Sequence, residues 1–365
     1  IVKATGNSSL NPQALLKLGT ANYNLNNNEE AIRQYRSLLD LYPNAAEADD
    51  ALYNLRAIYV QQGRASEYAD VARSAGKPLS VSAEDSLSFA AAEIQYENNS
   101  PNALASIETY LQRFPDGTYA TNAHYYRGEI YGTRKNWNEA IKSYAVVAER
   151  APNPFAERAL VQAARIQFFE LKNYAEAEKY YAQLKQFTAS QEAKLEAMRG
   201  LLRSQYLQQK WQQAVDNAKE LVAEKGSSAD DKALANMAIG KSAQIGGQYD
   251  VAIASFKNVV AVNKGATAAE ARYEIAASWF AVGRMEDAEK AAFEVINKAG
   301  SYEFWVTKSY ILLGDIYFKQ KDYFNAKATY QSVVENSLNM ELKGEAQKKL
   351  DAVNAAEAQG SKVTN

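Results

Sequence analysis

The sequence predicts an all-α chain, a solenoid of about nine helix pairs closed by a C-terminal capping helix. Three observations carry this. Only 18 Gly and 7 Pro interrupt 365 residues, too few for the loops of several globular domains. A small residue recurs at Ala31, Ala103, Ala140, Ala177, Ala214, Ala252, Ala288 and Ala326; from Ala103 onward the steps are 37, 37, 37, 38, 36 and 38, a period that signals stacked helical repeats. Ala31 to Ala103 spans two periods, and the missing member falls at Tyr68. Other anchors keep this phase. Four or five residues beyond the alanine come Tyr35, Tyr144, Tyr181, Phe256, Phe293 and Tyr330; twelve before it stand Gly19, Gly128, Gly240 or Gly314, and nine before it Tyr59, Ile94, Tyr131, Phe168, Trp279 or Tyr317. Small residues let two antiparallel helices touch, and the rings fill the space beside each close contact.

Taken in order, residues 1–11 have no period and are expected to be a tail or the remnant of an upstream repeat, with Asn11 as cap and Pro12 at the first helical position of the first helix. The first residue is Ile1 and not Met, so a mature form or excised fragment is expected, with any signal peptide or lipid anchor carried ahead of it. Residues 12–338 read as one continuous solenoid. Its second repeat, near 48–78, is degenerate: Tyr68 replaces the small residue and Arg56 the glycine. Ser100-Pro101 is expected to cap the second helix of repeat three. Asn136 with Glu139, Asn173 with Glu176 and Thr267 with Glu270 have the spacing of a capping box. The polar run 224–231 is the expected flexible joint, and Gly246-Gly247 the end of a helix. Residues 339–356 place Leu342, Ala346, Leu350 and Val353 on one stripe with charge opposite, as a terminal capping helix requires. Residues 357–365 are expected to fray.

Composition narrows the chemistry. There is no cysteine and one histidine, His124, so Cys-His and zinc sites cannot be built; no catalytic residue, metal or cofactor is expected, and His124 reads as a packing residue. Paired carboxylates such as Glu29-Glu30, Asp49-Asp50 and Asp230-Asp231 sit where they complement helix dipoles. A net charge of −2 provides no global basic field for nucleic acid, and no run approaches the ~18 apolar residues of a membrane span.

Tyr310, Leu313-Gly314, Tyr317, Ala326, Tyr330 and Val333 closely follow the pattern of the tetratricopeptide repeat family, which the chain resembles over about residues 12–338. The resemblance implies a right-handed superhelix of about nine such repeats and a non-catalytic scaffold that holds a protein or peptide segment in its concave groove. Carried over repeat by repeat, the inner face is expected to include Tyr23, Tyr53, Tyr96, Tyr125, Phe169, Arg199, Arg203, Tyr206, Tyr273, Phe280, Asp315 and Phe318, with Tyr125 the first to mutate. The linkers at 41–53 and 114–120 resemble those of bacterial envelope members, the barrel-assembly lipoprotein and the Tol-Pal partner. A periplasmic or outer-membrane-associated role in a Gram-negative bacterium is therefore expected; a cytoplasmic adaptor or chaperone-like module is the alternative, with a glycan-binding lipoprotein or an enzyme more remote. The family's carboxylate clamp is not expected, because only Arg199 and Arg203 resemble part of it while Gln162, Ile166, Met237 and Lys241 occupy the neighbouring repeats.

Overall fold

The computed structural model describes the backbone of residues 10–363 and the side chains of residues 10–358. The described residues form helices and turns alone, in two compact units that divide between Ile166 and Gln167. The division falls at Ile166 and not at the polar run 224–231.

In the first unit the pairs are α1 (Asn11–Asn24) with α2 (Asn28–Leu41), α3 (Glu47–Gln61) with α4 (Ala65–Ser74), α5 (Val81–Glu97) with α6 (Ala103–Arg113) and α7 (Ala120–Thr133) with α8 (Trp137–Glu149), followed by α9 (Ala156–Arg165). A single π turn, Ile166–Glu170, continues α9. The second unit holds α10 (Tyr174–Phe187), then α11 (Gln191–Leu207) with α12 (Trp211–Ala223), α13 (Ala229–Ile245) with α14 (Tyr249–Val262), α15 (Ala266–Ala281) with α16 (Met285–Lys298), α17 (Glu303–Lys319) with α18 (Tyr323–Asn336), and α19 (Met340–Val363). First helices also pack on one another within each unit, α3 on α1, α5 on α3 and α7 on α5 in the first, and α13 on α11, α15 on α13, α17 on α15 and α19 on α17 in the second, the stacking that defines an α-solenoid.

The nine turns inside the repeats share one device. Asn26, Gly63, Asn99, Lys135, Lys172, Gln209, Gly247, Gly283 and Lys321 all take positive φ, between 50° and 82°. In eight of them the following amide donates to the carbonyl five residues back, as Asn136 does to Tyr131 (2.9 Å) and Asp322 to Tyr317 (2.9 Å), which is the Schellman closure of a helix end. Asn173 reaches six residues back, to Gln167 (2.8 Å), because the π turn adds a residue. Lys135, Lys172, Gln209 and Lys321 carry a Cβ in this left-handed conformation, so replacing any one by glycine is expected to raise stability by about 0.5–1 kcal/mol, measured as a shift in the urea midpoint.

Packing inside the pairs follows volume complementarity. A Cβ built on Gly19 would lie 2.4 Å from the Tyr35 ring, on Gly128 2.6 Å from Tyr144, on Gly240 2.5 Å from Phe256 and on Gly314 2.4 Å from Tyr330. Where the second helix instead carries Ala218 or Ala292, the facing residue is Leu202 or Ala276, and all four are buried. The ring position assigned to Phe293 is a correction: Phe293 is exposed, and Ala292 takes the buried place. A Cβ built on Gly200 would lie 2.3 Å from the Tyr181 ring, a close approach between α10 and α11 that lies outside the phase of the other four.

Polar ends confirm the same register. The Tyr144 hydroxyl donates to Glu129 (2.5 Å) and Tyr330 to Asp315 (2.5 Å), while Tyr35 and Thr20 share a hydrogen bond (3.1 Å); the partner residue directly follows the glycine each time. Phe256 has no hydroxyl, and the residue after Gly240 is Lys241, which binds Glu274 (2.5 Å).

Several helix ends differ from expectation. Leu10, not Asn11, occupies the N-cap of α1. Asn136, and Asn102 after Ser100-Pro101, cap without a side-chain bond, and Thr267 lies inside α15, whose cap is Gly265. Asn173 does accept from the Glu176 amide. The complete capping box is Ser228 with Asp231, a Ser-x-x-Asp pair hidden in the polar run 224–231. On α19, Leu342, Ala346, Leu350 and Val353 pack against Ala326, Tyr330 and Val333. The helix runs to Val363, past the Ala356 beyond which fraying was expected, and Lys327 binds Glu357 (2.6 Å) there. Of the tail expected over residues 1–11, residues 1–9 lie outside the described residues, and Asn11 already opens α1.

Candidate partner-binding surface

The positive-φ turns locate aromatic rings at one recurring position in each unit, and in the second unit these form a row. The turn amide donates to the carbonyl three residues back: Asn26 to Tyr23 (2.9 Å), Asn99 to Tyr96 (2.9 Å), Gln209 to Tyr206 (3.0 Å), Gly283 to Phe280 (3.0 Å) and Lys321 to Phe318 (3.0 Å). Phe169 holds the same place before Lys172. These six rings therefore sit on the last turn of their first helices, Tyr23 and Tyr96 in the first unit and the other four in the second. Tyr23 and Phe169 are exposed, at 37% and 49%; Tyr96, Tyr206, Phe280 and Phe318 are half-buried.

Neighbouring side chains brace them. Tyr96 stacks on Tyr126 (4.2 Å, 15°). Tyr206 meets Trp211 edge-on at 5.4 Å, Phe318 lies 6.0 Å from Tyr323, and Phe169 rests on Phe168, itself 5.2 Å from Tyr174. Trp211, Tyr323 and Tyr174 are the first residues of their second helices, so an aromatic at that position props the row. The Lys319 ammonium lies 5.1 Å over the Phe280 ring, within cation–π range. Burial pushes the Tyr206 phenol up, helped by Glu270 and Glu274, and burial with Glu129 does the same for Tyr96; both stay protonated and keep a hydroxyl able to donate. Beside Tyr96 opens a cleft of about 280 Å³, lined among others by Asn99, Ser100, Glu129, Ile130 and Arg134, large enough for one partner side chain.

The remaining expected groove residues lie nearer mid-helix and are used differently. Tyr125 is buried, 7% exposed, with Phe155 stacked on it at 4.7 Å, so its ring belongs to the core; this overturns its place as the first groove residue to mutate. Tyr53, at the equivalent position, is 73% exposed. Arg199 grips Asp231 with Nε (2.5 Å) and an Nη (2.9 Å), and Asp315 takes the Tyr330 hydroxyl together with Lys349 (2.6 Å): both are structural. Tyr273 is half-buried against Trp305 (5.5 Å) with Lys308 at 5.6 Å. Arg203 is exposed. Tyr126 and Trp305, which support the surface, were missed, since neither recurs at a fixed offset from the small residue.

His124 is half-buried, and its Nδ1 is enclosed without a hydrogen-bond partner. Burial, with Arg127 and Arg150 nearby, pulls its pKa down to about 4, so the imidazole is uncharged at neutral pH. Among the described residues, no group of three or more His, Asp or Glu is placed to hold a metal ion, and no helix is long and apolar enough to cross a membrane.

Models of the tetratricopeptide repeat match residues 13–45, 122–154, 237–303 and 307–339. Among curated proteins no sequence matches this chain. Similar solved structures include a tetratricopeptide repeat protein from Parabacteroides merdae, at 15% identity over 73% of this chain and 98% of that one with TM-score 0.40, a thermophilic one from Thermus thermophilus, at 19% over 53% and 99% with TM-score 0.38, and yeast Tom70, at 12% over 95% and 90% with TM-score 0.41. At such TM-scores the likeness carries no argument about what this chain binds.

Proposed function

We propose that this chain, which carries tetratricopeptide repeats, is a non-catalytic scaffold that binds a segment of another protein along its aromatic row. The repeat generally mediates protein–protein interaction, which makes a protein partner the starting expectation. The observation that carries the reading is the recurrence of partly exposed, braced rings at one backbone position, Phe169, Tyr206, Phe280 and Phe318 in the second unit. Rings give large contact area and, in tyrosine, a polar tip at low entropic cost, and hot spots concentrate in such residues. Replacing Phe169, Tyr206 and Phe280 together by alanine is expected to abolish recovery of partners crosslinked in the native cell and identified by mass spectrometry, with helical circular dichroism unchanged. Partner recovery equal to wild type sinks the proposal, and lost helicity makes these rings core.

The finer reading is a role in a bacterial envelope assembly, secretion or outer-membrane complex. Its support is the likeness of the linkers at 41–53 and 114–120 to those of envelope repeat proteins. Fractionation of the native cell tests it: recovery with the cytosol favours the adaptor alternative.

A further inference from the structure

In three repeats a charged residue directly follows the glycine that receives a ring of the second helix: Glu129 after Gly128, Lys241 after Gly240 and Asp315 after Gly314. Two of these charges are neutralised from the first helix of the next repeat. Lys241 binds Glu274, 33 residues on (2.5 Å), and Asp315 binds Lys349, 34 residues on, through both oxygens (2.6 and 2.9 Å). The corresponding residues for Glu129 are Gln162 and Ala163 of α9, neither of them charged.

Other cations of this region are turned to other groups. Arg127 donates to the Ser143 hydroxyl (3.0 Å), and Arg158 faces the Tyr125 hydroxyl. Among the described residues no lysine or arginine forms an ion pair with Glu129, whose carboxylate accepts from the neutral Tyr144 hydroxyl (2.5 Å). A carboxylate has room for more donors than one phenol, and a charge drawn partly out of water calls for an opposite one. Glu129 is half-buried, so it presents both an open acceptor and an uncompensated charge.

It presents them to the cleft of about 280 Å³ beside Tyr96, where Ala103 and Ile130 supply apolar wall. The Tyr96 ring is braced by its stack on Tyr126 (4.2 Å). A long basic side chain matches this lining: its aliphatic stem lies against Ala103 and Ile130, and its head gains an ion pair with Glu129 and a cation–π contact with Tyr96. Arg134 also lines the cleft and is exposed. It stands five residues beyond Glu129, not the three or four that bring side chains of one helix together, and does not close the pair.

We propose that this cleft is a socket for a basic side chain, lysine or arginine, of the bound partner segment, with Glu129 as its counter-ion. The inference rests on the scaffold reading above and adds to it the charge of one anchor residue.

The test titrates the deuterated, ¹⁵N-labelled 365-residue chain with acetyl-Gly-Arg-Gly-amide and with its citrulline analogue, which keeps the shape and loses the charge. The amide resonances of Asn99, Ser100, Ile130 and Arg134 are followed. Saturable shifts are expected with the arginine probe, and binding weaker by about fivefold both for citrulline and in Glu129→Gln, as loss of a partly screened ion pair implies. Glutamine can still accept from Tyr144, an unchanged melting temperature shows that the variant is folded, and the citrulline comparison needs no variant at all. Arg134→Gln is expected to tighten binding by removing a like charge. Absence of shifts at these amides, or shifts indifferent to the probe's charge and to Glu129→Gln, overturns the proposal. So does tighter binding of acetyl-Gly-Glu-Gly-amide that Arg134→Gln abolishes, which gives the cleft to an anion. The two readings fail separately: loss of partner recovery in the Phe169, Tyr206 and Phe280 variant without arginine preference here sinks the socket alone, whereas arginine preference here with undiminished recovery in that variant keeps the socket and sinks the aromatic row.

Discussion

Gly314→Ala is expected to destabilise the C-terminal repeat by about 2 kcal/mol, the strain of overpacking less the gain in helix propensity. The new methyl would sit 2.4 Å from the Tyr330 ring. That ring cannot step aside: it is fully buried, and its hydroxyl is tied to Asp315, which also holds Lys349. The strain must therefore pass into the α17–α18 backbone. Because a repeat array need not unfold in one step, hydrogen exchange of the α17, α18 and α19 amides is the better measure, and faster exchange confined to these helices is expected. Adding Tyr330→Leu to Gly314→Ala removes the ring the methyl strikes, so the pair should cost less than the sum of the two singles by at least about 1 kcal/mol. Additivity would mean that the contact is not what fixes the pair.

Asp231→Ala is expected to cost about 3 kcal/mol, since it removes an N-cap partner and leaves Arg199 without its counter-ion. Asp231 is nearly inaccessible, and its carboxylate accepts from Arg199, from the Ser228 amide (2.8 Å) and from the Ser228 hydroxyl (2.8 Å). Arg199 is about a third exposed, so its rehydration keeps the loss at the low end for a broken buried pair. Burial alone would raise the Asp231 pKa, but the bonds from Arg199 and Ser228 outweigh it and hold the carboxyl below its usual value of 3.8. A depressed carboxyl stabilises the fold fully above its unfolded pKa, and that contribution is lost as pH falls through the folded one. The gap in urea midpoint between wild type and Asp231→Ala should accordingly be constant at neutral pH and narrow only below about pH 4. A gap that closes near pH 6 would point to another group.

Much of the fold was legible because helix pairing leaves a trace in residue volume. Gly19 with Tyr35, or Gly314 with Tyr330, can be read as complementary sizes at a constant separation. The turns were less so: Asn26 and Gly63 advertise a left-handed residue, but Lys135, Lys172, Gln209 and Lys321 do not, and these turns locate the aromatic row. The candidate surface was half legible for a related reason. An offset to the end of the first helix finds Tyr23, Tyr96, Phe169, Tyr206, Phe280 and Phe318, whose surroundings repeat. A mid-helix offset treats Tyr53 and Tyr125 alike, although Phe155 covers one ring and nothing equivalent stacks on the other. Whether a ring is core or surface there depends on a linker residue some 30 positions on, and Arg199 was likewise claimed by an aspartate in the following repeat.

The Gly200–Tyr181 contact limits how the chain can be cut and recombined. Where a ring closes on a glycine of its own hairpin, as in α1–α2, α7–α8, α13–α14 and α17–α18, the hairpin carries both halves of its lock and can be duplicated, deleted or transplanted as one cassette. Tyr181 has its socket in the next hairpin along. Excising α11 and α12 would leave that ring facing a residue with a Cβ, so a viable shortened chain must keep α10 and α11 together, and crossovers between related arrays should avoid residues 188–190, the short connection between them.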